Sequence, residues 1–199
     1  MKVILASASP RRAEILSIAG ISAEIFPAEV DESPRPGEQV AALVLRLAEA
    51  KVRATILRLA QSSSVAGKPG EPTIFIGADT MVEVDGHSLG KPASAEHARA
   101  MLRRLSARRH RVVTGIAVVR MPGGDSKCEI ETTDVYFAKL SEQEIERYVA
   151  TGEPLDKAGA YAIQGQGGRF IERIEGCYFN VVGLPLARIY RVLKEMGWS

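Results

Sequence analysis

The chain has 199 residues, 46% hydrophobic and 25% charged, with a formal net charge of +2. That is enough length to bury a core in one compact domain or two closely fused lobes, and the charge is too small to argue by itself for a nucleic-acid or membrane partner. No apolar run reaches membrane-span length, no signal-peptide pattern opens the chain, and Cys128 and Cys177 lack metal-ligand spacing, so a cytoplasmic protein with reduced thiols is expected.

The first predicted element is the apolar run Val3-Ile4-Leu5-Ala6, a strand covered on both faces. Ser9 as cap and Pro10 in the first turn then open a helix carrying Ile15, Leu16 and Ile18, with Gly20 as its stop. Residues 23–33 read as a short strand ending in an acidic loop. A long amphipathic helix follows from Glu38 to about Ala60, with Val40, Leu43, Val44, Leu47 and Val52 on its apolar face. The Ser/Gly/Pro-rich stretch 61–72 is expected to be a mobile loop. Residues 73–86 read as a strand, a break at Gly77-Ala78-Asp79, and a second strand closed by Asp85-Gly86. Ser94 should cap a helix over Ala95–Leu105, and 111–120 with 127–140 should form a hairpin. Ser141 and Glu144 make a capping box for a helix that Gly152 closes; Pro185 starts a last helix before Gly197. Alternation of strands and helices, followed by a hairpin, predicts an α/β mixed sheet with a cleft.

Several charged groups stand where local structure gives them little reason to be. Arg11 and Arg12 fall at a helix N-terminus, where cations are mildly unfavourable and anions favoured, so a phosphate there would explain them. Asp79 follows an apolar strand, the position at which open α/β sheets place ligand groups, although Asp is also a common turn residue. Lys91 is aimed by its neighbours Gly90 and Pro92, or is simply a solvated turn lysine. Asp156, Lys157 and Gln164 lie among glycines in a stretch that could bring backbone N–H groups to a ligand, as ordinary hairpin turns also could. Asp31 and Glu32 sit in the acidic loop, and by spacing alone Lys51 belongs to a solvated helix face. His87, His97 and His110 have no zinc spacing and none resembles a base beside a nucleophile. Neither a P-loop nor a Rossmann glycine fingerprint is present. Five arginines in 103–111 could contact a nucleic-acid backbone, but without interleaved aromatics a solvated helix end is the better reading.

In order, "LASASPRR", "VDE", "RLAEAK", "GADT", "LGKP", "HRVVTGIAV", "TGEPLDKAGAYAIQGQG" and "IERIEGCYFNVVGLPL" closely resemble the Maf family of nucleoside triphosphate pyrophosphatases, also known as septum formation inhibitors. The resemblance spans almost the whole chain. It implies a single Maf-like domain over 1–199 with a twisted mixed β-sheet, flanking helices and two lobes around a cleft, similar to the inosine triphosphatase fold. The implied reaction is hydrolysis of a nucleoside triphosphate between the α and β phosphates, with a divalent cation such as Mg²⁺ or Mn²⁺. By motif match Asp79 is the proton acceptor, and Ser9, Arg12, Glu32, Lys51 and Lys91 line the polyphosphate and metal site. Glu32 and Asp79 are the metal-ligand candidates, with Asp156 as a further carboxylate. Arg11, Thr80 and Gln164 match the positions that track substrate choice, in the set that goes with dTTP and UTP. The resemblance also implies a homodimer; from the residues themselves, no membrane partner is expected and nucleic acid is disfavoured.

The chemistry of the substrate agrees with this set. A triphosphate carries about three to four negative charges near neutral pH, which Arg11, Arg12, Lys51, Lys91 and a helix N-terminus could offset. Magnesium needs only one or two protein carboxylates beside phosphate oxygens and water. The Gln164 amide offers a donor and an acceptor to the edge of uracil or thymine. The rival from another class is a nucleotide- or nucleic-acid-binding regulator of cell division without significant turnover. Asp79 argues against it, because a carboxylate facing a polyanion is unfavourable in a mere binder.

Overall fold

The computed structural model describes residues 1–61 and 72–198. Of the expected mobile loop 61–72, residues 62–71 lie outside the described residues, and Gln61 is the last residue of the helix before it. The architecture is a mixed α/β fold. Among the described residues a seven-stranded sheet runs in the order β2-β1-β3-β5-β6-β7, with β4 paired to β3. The strands are β1 (Lys2–Leu5), β2 (Glu24–Ile25), β3 (Thr73–Val84), β4 (His87–Leu89), β5 (Arg109–Met121), β6 (Asp125–Phe137) and β7 (Ile171–Glu175). The helices are α1 (Pro10–Ile18), α2 (Val40–Gln61), α3 (Ala95–Leu105), α4 (Glu142–Ala150), α5 (Tyr178–Val182) and α6 (Leu186–Glu195). The chain divides into two compact units: Met1–Asp79, Thr114–Glu131 and Gly183–Ser199 form the first, Thr80–Val113 and Thr132–Val182 the second.

In the first unit β1 pairs in parallel with β2 and with β3, from Lys2↔Thr73 to Leu5↔Ile76. Ile4, Ala6, Ala48, Val52, Phe75 and Ala117 build a core between β1, β3, β5 and α2. Two glycines set how closely α2 lies on the strands. A Cβ on Gly77 would be 2.4 Å from the Ala48 carbonyl oxygen, and one on Gly115 would be 2.5 Å from the Val44 carbonyl. Here the structure corrects the sequence reading, because β3 is one unbroken strand through Gly77-Ala78-Asp79. The glycine admits a helix backbone rather than ending a strand. Gly115→Ala must therefore push α2 away from β5 and should cost about 3 kcal/mol of stability, read as a lower urea midpoint. A change under about 0.5 kcal/mol would mean the helix shifts freely.

In the second unit β3 turns at Asp85-Gly86, both at positive φ, into antiparallel β4. This is the two-residue Asp-Gly hairpin the sequence indicated. Ser94 caps α3 by accepting from the His97 N–H, and Ser141 with Glu144 forms the expected capping box on α4. Val82, Leu102, Val135, Phe137, Tyr148 and Phe170 are core residues. The 103–111 arginines pair with carboxylates of the same unit: Arg103 with Glu142 (2.8 Å), Arg108 with Asp85 (2.6 Å) and Arg111 with Glu83 (2.8 Å). They are paired surface charges, but only Arg103 and Arg104 belong to a helix end; Arg108 follows α3, and Arg109 and Arg111 lie on β5, which the helical reading of the run does not foresee.

His110 is buried beside Tyr161, its Nε2 2.8 Å from the hydroxyl. Burial pushes its pKa from 6.5 down to about 4. The unfolded chain therefore takes up a proton that the folded chain refuses. Stability should be fully present above pH 6.5 and fall as the pH drops towards 4, by up to about 3 kcal/mol. Urea midpoints across that window test this, and His110→Gln should remove most of the slope.

Candidate active site

The parallel pairing of β1 with β3 ends at Leu5↔Ile76, with one further bond from the Ala6 N–H to the Ile76 carbonyl. Beyond that carboxyl end the chain supplies Ser7 and Ser9, the first turn of α1, and Asp79. Ser9 occupies the N-cap position, but its side chain makes no capping bond, contrary to expectation; separately, its N–H donates to Ser7 Oγ (3.2 Å). The first turn of α1 also lacks an acidic residue. The positive end of its dipole is thus compensated by neither device, which favours an anion.

Arg11 and Arg12, adjacent in sequence, have different surroundings. Arg11 is half-buried. Arg12 is buried, and its Nε donates to the Gly183 carbonyl (2.8 Å) while Nη1 donates to the Ala78 carbonyl (2.8 Å) and to Ser7 Oγ (3.0 Å). Burial pulls its pKa down, against the opposing pull of Asp79 and Glu32. The guanidinium therefore ties the end of β1 to the peptide immediately before Asp79.

Asp79 is 6% and Lys51 9% exposed. Lys51 Nζ lies 2.5 Å from Asp79 Oδ1 and 2.7 Å from Glu32 Oε1. Lys51 is therefore no solvated helix residue, since its ammonium joins two carboxylates. The other Asp79 oxygen, Oδ2, is buried and has no hydrogen-bond partner among the described residues. A buried carboxylate oxygen left in that state is costly unless a ligand, ion or proton completes it.

Glu32 reaches Lys51 because its loop is tied to α2. The Arg46 guanidinium grips Glu38 with Nε to Oε1 (2.6 Å) and Nη2 to Oε2 (2.8 Å), and Nη2 also donates to the Ser33 carbonyl (3.1 Å). Arg46 holds the Glu38 carboxyl down at about 2. Arg46 opens the "RLAEAK" motif, but nothing in that motif points to its partner Glu38. The signal available for them was a Glu in a turn followed by an Arg on the first turns of the next helix.

The remaining candidates belong to the second unit. Thr80 is half-buried on β3, and Lys91 is exposed between Gly90 and Pro92. The Gly159 N–H donates to the Gly90 carbonyl (3.0 Å), bringing the "LGKP" and "DKAG" stretches together. Asp156 is exposed and ion-pairs with Lys157. Gln164 is exposed in the loop before the short 3-10 turn Gln166–Phe170. Cys128 and Cys177 are free thiols.

A family model described as Maf-like protein matches residues 2–196. The chain is 46% identical to a dTTP/UTP pyrophosphatase of Citrifermentans bemidjiense, covering 98% of this chain and 95% of that protein. It is 48% identical to one of Anaeromyxobacter sp. (98% and 90% covered) and 46% identical to one of Pelotomaculum thermopropionicum (100% and 98% covered). The structure of the Staphylococcus aureus Ham1 protein superposes with a TM-score of 0.46 at 14% identity, covering 98% of this chain and 99% of that one, too loose a likeness to argue from.

Proposed function

Because the chain belongs to the Maf family of Maf-like proteins, we propose that it is a pyrophosphatase that hydrolyses dTTP and UTP to the nucleoside monophosphate and pyrophosphate. The relatives that carry this name are 46–48% identical over nearly their whole lengths. The observation that carries the reading is Asp79, buried, held at Oδ1 by Lys51 and left with an unpartnered Oδ2. A group of that kind suits a general base, with one oxygen fixed and the other open to a proton.

In the reaction, water attacks the α-phosphorus and its proton passes to Asp79 Oδ2. The new P–O bond forms as the bond from the α-phosphorus to the oxygen bridging to the β-phosphate breaks. Pyrophosphate leaves with that electron pair. The N-terminal turn of α1 and Arg11 supply positive potential for the phosphate oxygens. Arg12 acts differently, holding the Ala78 peptide and so the position of Asp79. Lys51 keeps the carboxylate oriented and offsets its charge against a polyanionic substrate. In the second unit, Lys91 and Lys157 are the cations proposed for phosphate oxygens, and Thr80 and Gln164 for base choice.

A divalent cation fits the donor set of the first unit. Glu32 and Asp79 converge on one ammonium, so two carboxylates already share a cationic position, with Asp79 Oδ2 kept for the proton. Among the described residues no group of three or more His, Cys, Asp and Glu side chains could hold a metal. The two carboxylates together with substrate phosphates are the ligands a magnesium ion would use. When bound it would offset charge developing on the phosphate oxygens. No described helix is long and apolar enough to cross a membrane; a cytoplasmic location is part of the proposal.

The test is a panel of nucleoside triphosphates with magnesium, the products separated by chromatography. dTTP and UTP should give monophosphate and pyrophosphate. Binding without turnover of any of them would favour the regulatory alternative. Gln164→Glu, which replaces the amide donor by an acceptor, should lower kcat/KM for UTP and dTTP about 100-fold. Unchanged selectivity would remove Gln164 from base recognition.

A further inference from the structure

Tyr148 and Glu153 lie at and just beyond the C-terminal end of α4, outside every residue considered so far for the site. Tyr148 is fully buried, and its hydroxyl donates to Glu153 Oε1 (2.7 Å). The same hydroxyl accepts from the Ala162 N–H (3.1 Å). Glu153 accepts from the Gln166 N–H at Oε2 (3.0 Å) and from the Gly167 N–H at Oε1 (3.1 Å). These bonds grip the backbone on both sides of Gln164, two residues before it and two and three after it. Burial alone would raise the Glu153 pKa, but the bonds from Tyr148, Gln166 and Gly167 outweigh it and hold the carboxyl below the ordinary glutamate range.

The glycines of this loop are where the grip needs them. A Cβ on Gly165 would stand 2.6 Å from Glu153 Oε1, and one on Gly167 would stand 2.5 Å from the Tyr148 hydroxyl. "QGQGG" is therefore built around these two side chains, with no room for a larger residue at either position. A rigid grip of this kind has a purpose if Gln164 reads a base. Uracil and thymine present N3–H and O4 to an amide, and guanine presents N1–H and O6 in the same donor and acceptor order. The amide by itself does not separate a pyrimidine from such a purine. A backbone held in one place can, because a purine sets that edge farther from its ribose than a pyrimidine does.

We infer that Tyr148 and Glu153 are positioning residues for base selection: by clamping residues 162–167 they fix Gln164 at the distance that admits a pyrimidine and rejects a purine. The inference rests on the reading of Gln164 given above. Glu153→Gln keeps size but turns an amide N–H₂ towards backbone N–H donors, and Tyr148→Phe keeps the buried ring while removing the hydroxyl that joins Ala162 to Glu153.

The experiment measures kcat/KM for UTP and for GTP in the wild type, Tyr148→Phe, Glu153→Gln and Gln164→Glu, with thermal unfolding of each. Enzyme concentration is set high enough to follow slow GTP turnover. Both clamp variants should lower the UTP-over-GTP ratio at least about tenfold. A merely structural role would reduce the folded fraction and scale both substrates alike, leaving the ratio unchanged. Tyr148→Phe carries the test if Glu153→Gln does not fold. A ratio within about twofold of wild type in the clamp variants, with Gln164→Glu collapsing UTP turnover, would overturn the clamp and leave the base-reading role intact. A Gln164→Glu enzyme with unchanged selectivity would overturn the role of Gln164 and this inference with it.

Discussion

Asp79→Asn is expected to lower kcat for UTP by about 1,000-fold, the scale of a lost general base, with KM changed by less than about threefold. The substitution keeps shape, and the amide oxygen can still accept from Lys51 Nζ, which now sits 2.5 Å from Oδ1. What it removes is the capacity of the second oxygen, buried and unpartnered, to take a proton. Because the packing is retained and the Lys51 ammonium still has Glu32 as an ionic partner, near-UV circular dichroism and the thermal midpoint should stay close to wild type. A variant retaining a tenth of the activity or more would move the base elsewhere, and Glu32 would be the next group to change, since it shares Lys51 with Asp79.

Lys51→Met should cost both stability and activity. The ammonium is the partner of a carboxylate that is itself only 6% exposed. Removing one member of a buried pair leaves the other charged and uncompensated, at a cost of about 3 kcal/mol. Glu32 adds less, because more than half of its side chain is exposed and water can replace the lost contact. The double variant separates the two effects. If the cost comes from stranded charge, Lys51→Met with Asp79→Asn should be more stable than Lys51→Met alone by about 1–2 kcal/mol in urea unfolding. If the double variant is no more stable, the methionine's packing is at fault and the pair contributes little.

The sequence exposed the fold wherever the signal was local. Ser94, Ser141 with Glu144, and Asp85-Gly86 act through their own neighbours, and each does in the structure what its residue type suggests. Gly77 misled because a glycine inside an apolar run marks either a turn or a close approach, and the approaching group, the Ala48 carbonyl, lies 29 residues away in sequence. Ser9 sits at the N-cap of α1, yet its side chain accepts no bond from the first turn, which residue type alone does not reveal. Lys51 shows the limit for the site. Helical spacing gives the face on which a side chain lies, but not which loop will cover that face. Here the cover is the acidic loop, tied down by Arg46 and Glu38, and no pattern along α2 announces it. Only the family motifs marked Lys51 as part of the site.

The arginine pair repeats the point at closer range. Both residues read as phosphate ligands from their place at a helix N-terminus. Arg12, however, donates from two of its nitrogens to backbone carbonyls, one of them the carbonyl directly before Asp79. A motif can therefore preserve a residue for the geometry it imposes as well as for the ligand it touches.

One measurement tests the central claim most directly: a single turnover of UTP in ¹⁸O-labelled water, followed by mass spectrometry of both products. Attack on the α-phosphorus, with Asp79 taking the proton, predicts that one ¹⁸O appears in the monophosphate and none in pyrophosphate. Label in pyrophosphate, or release of orthophosphate in its place, would contradict the account.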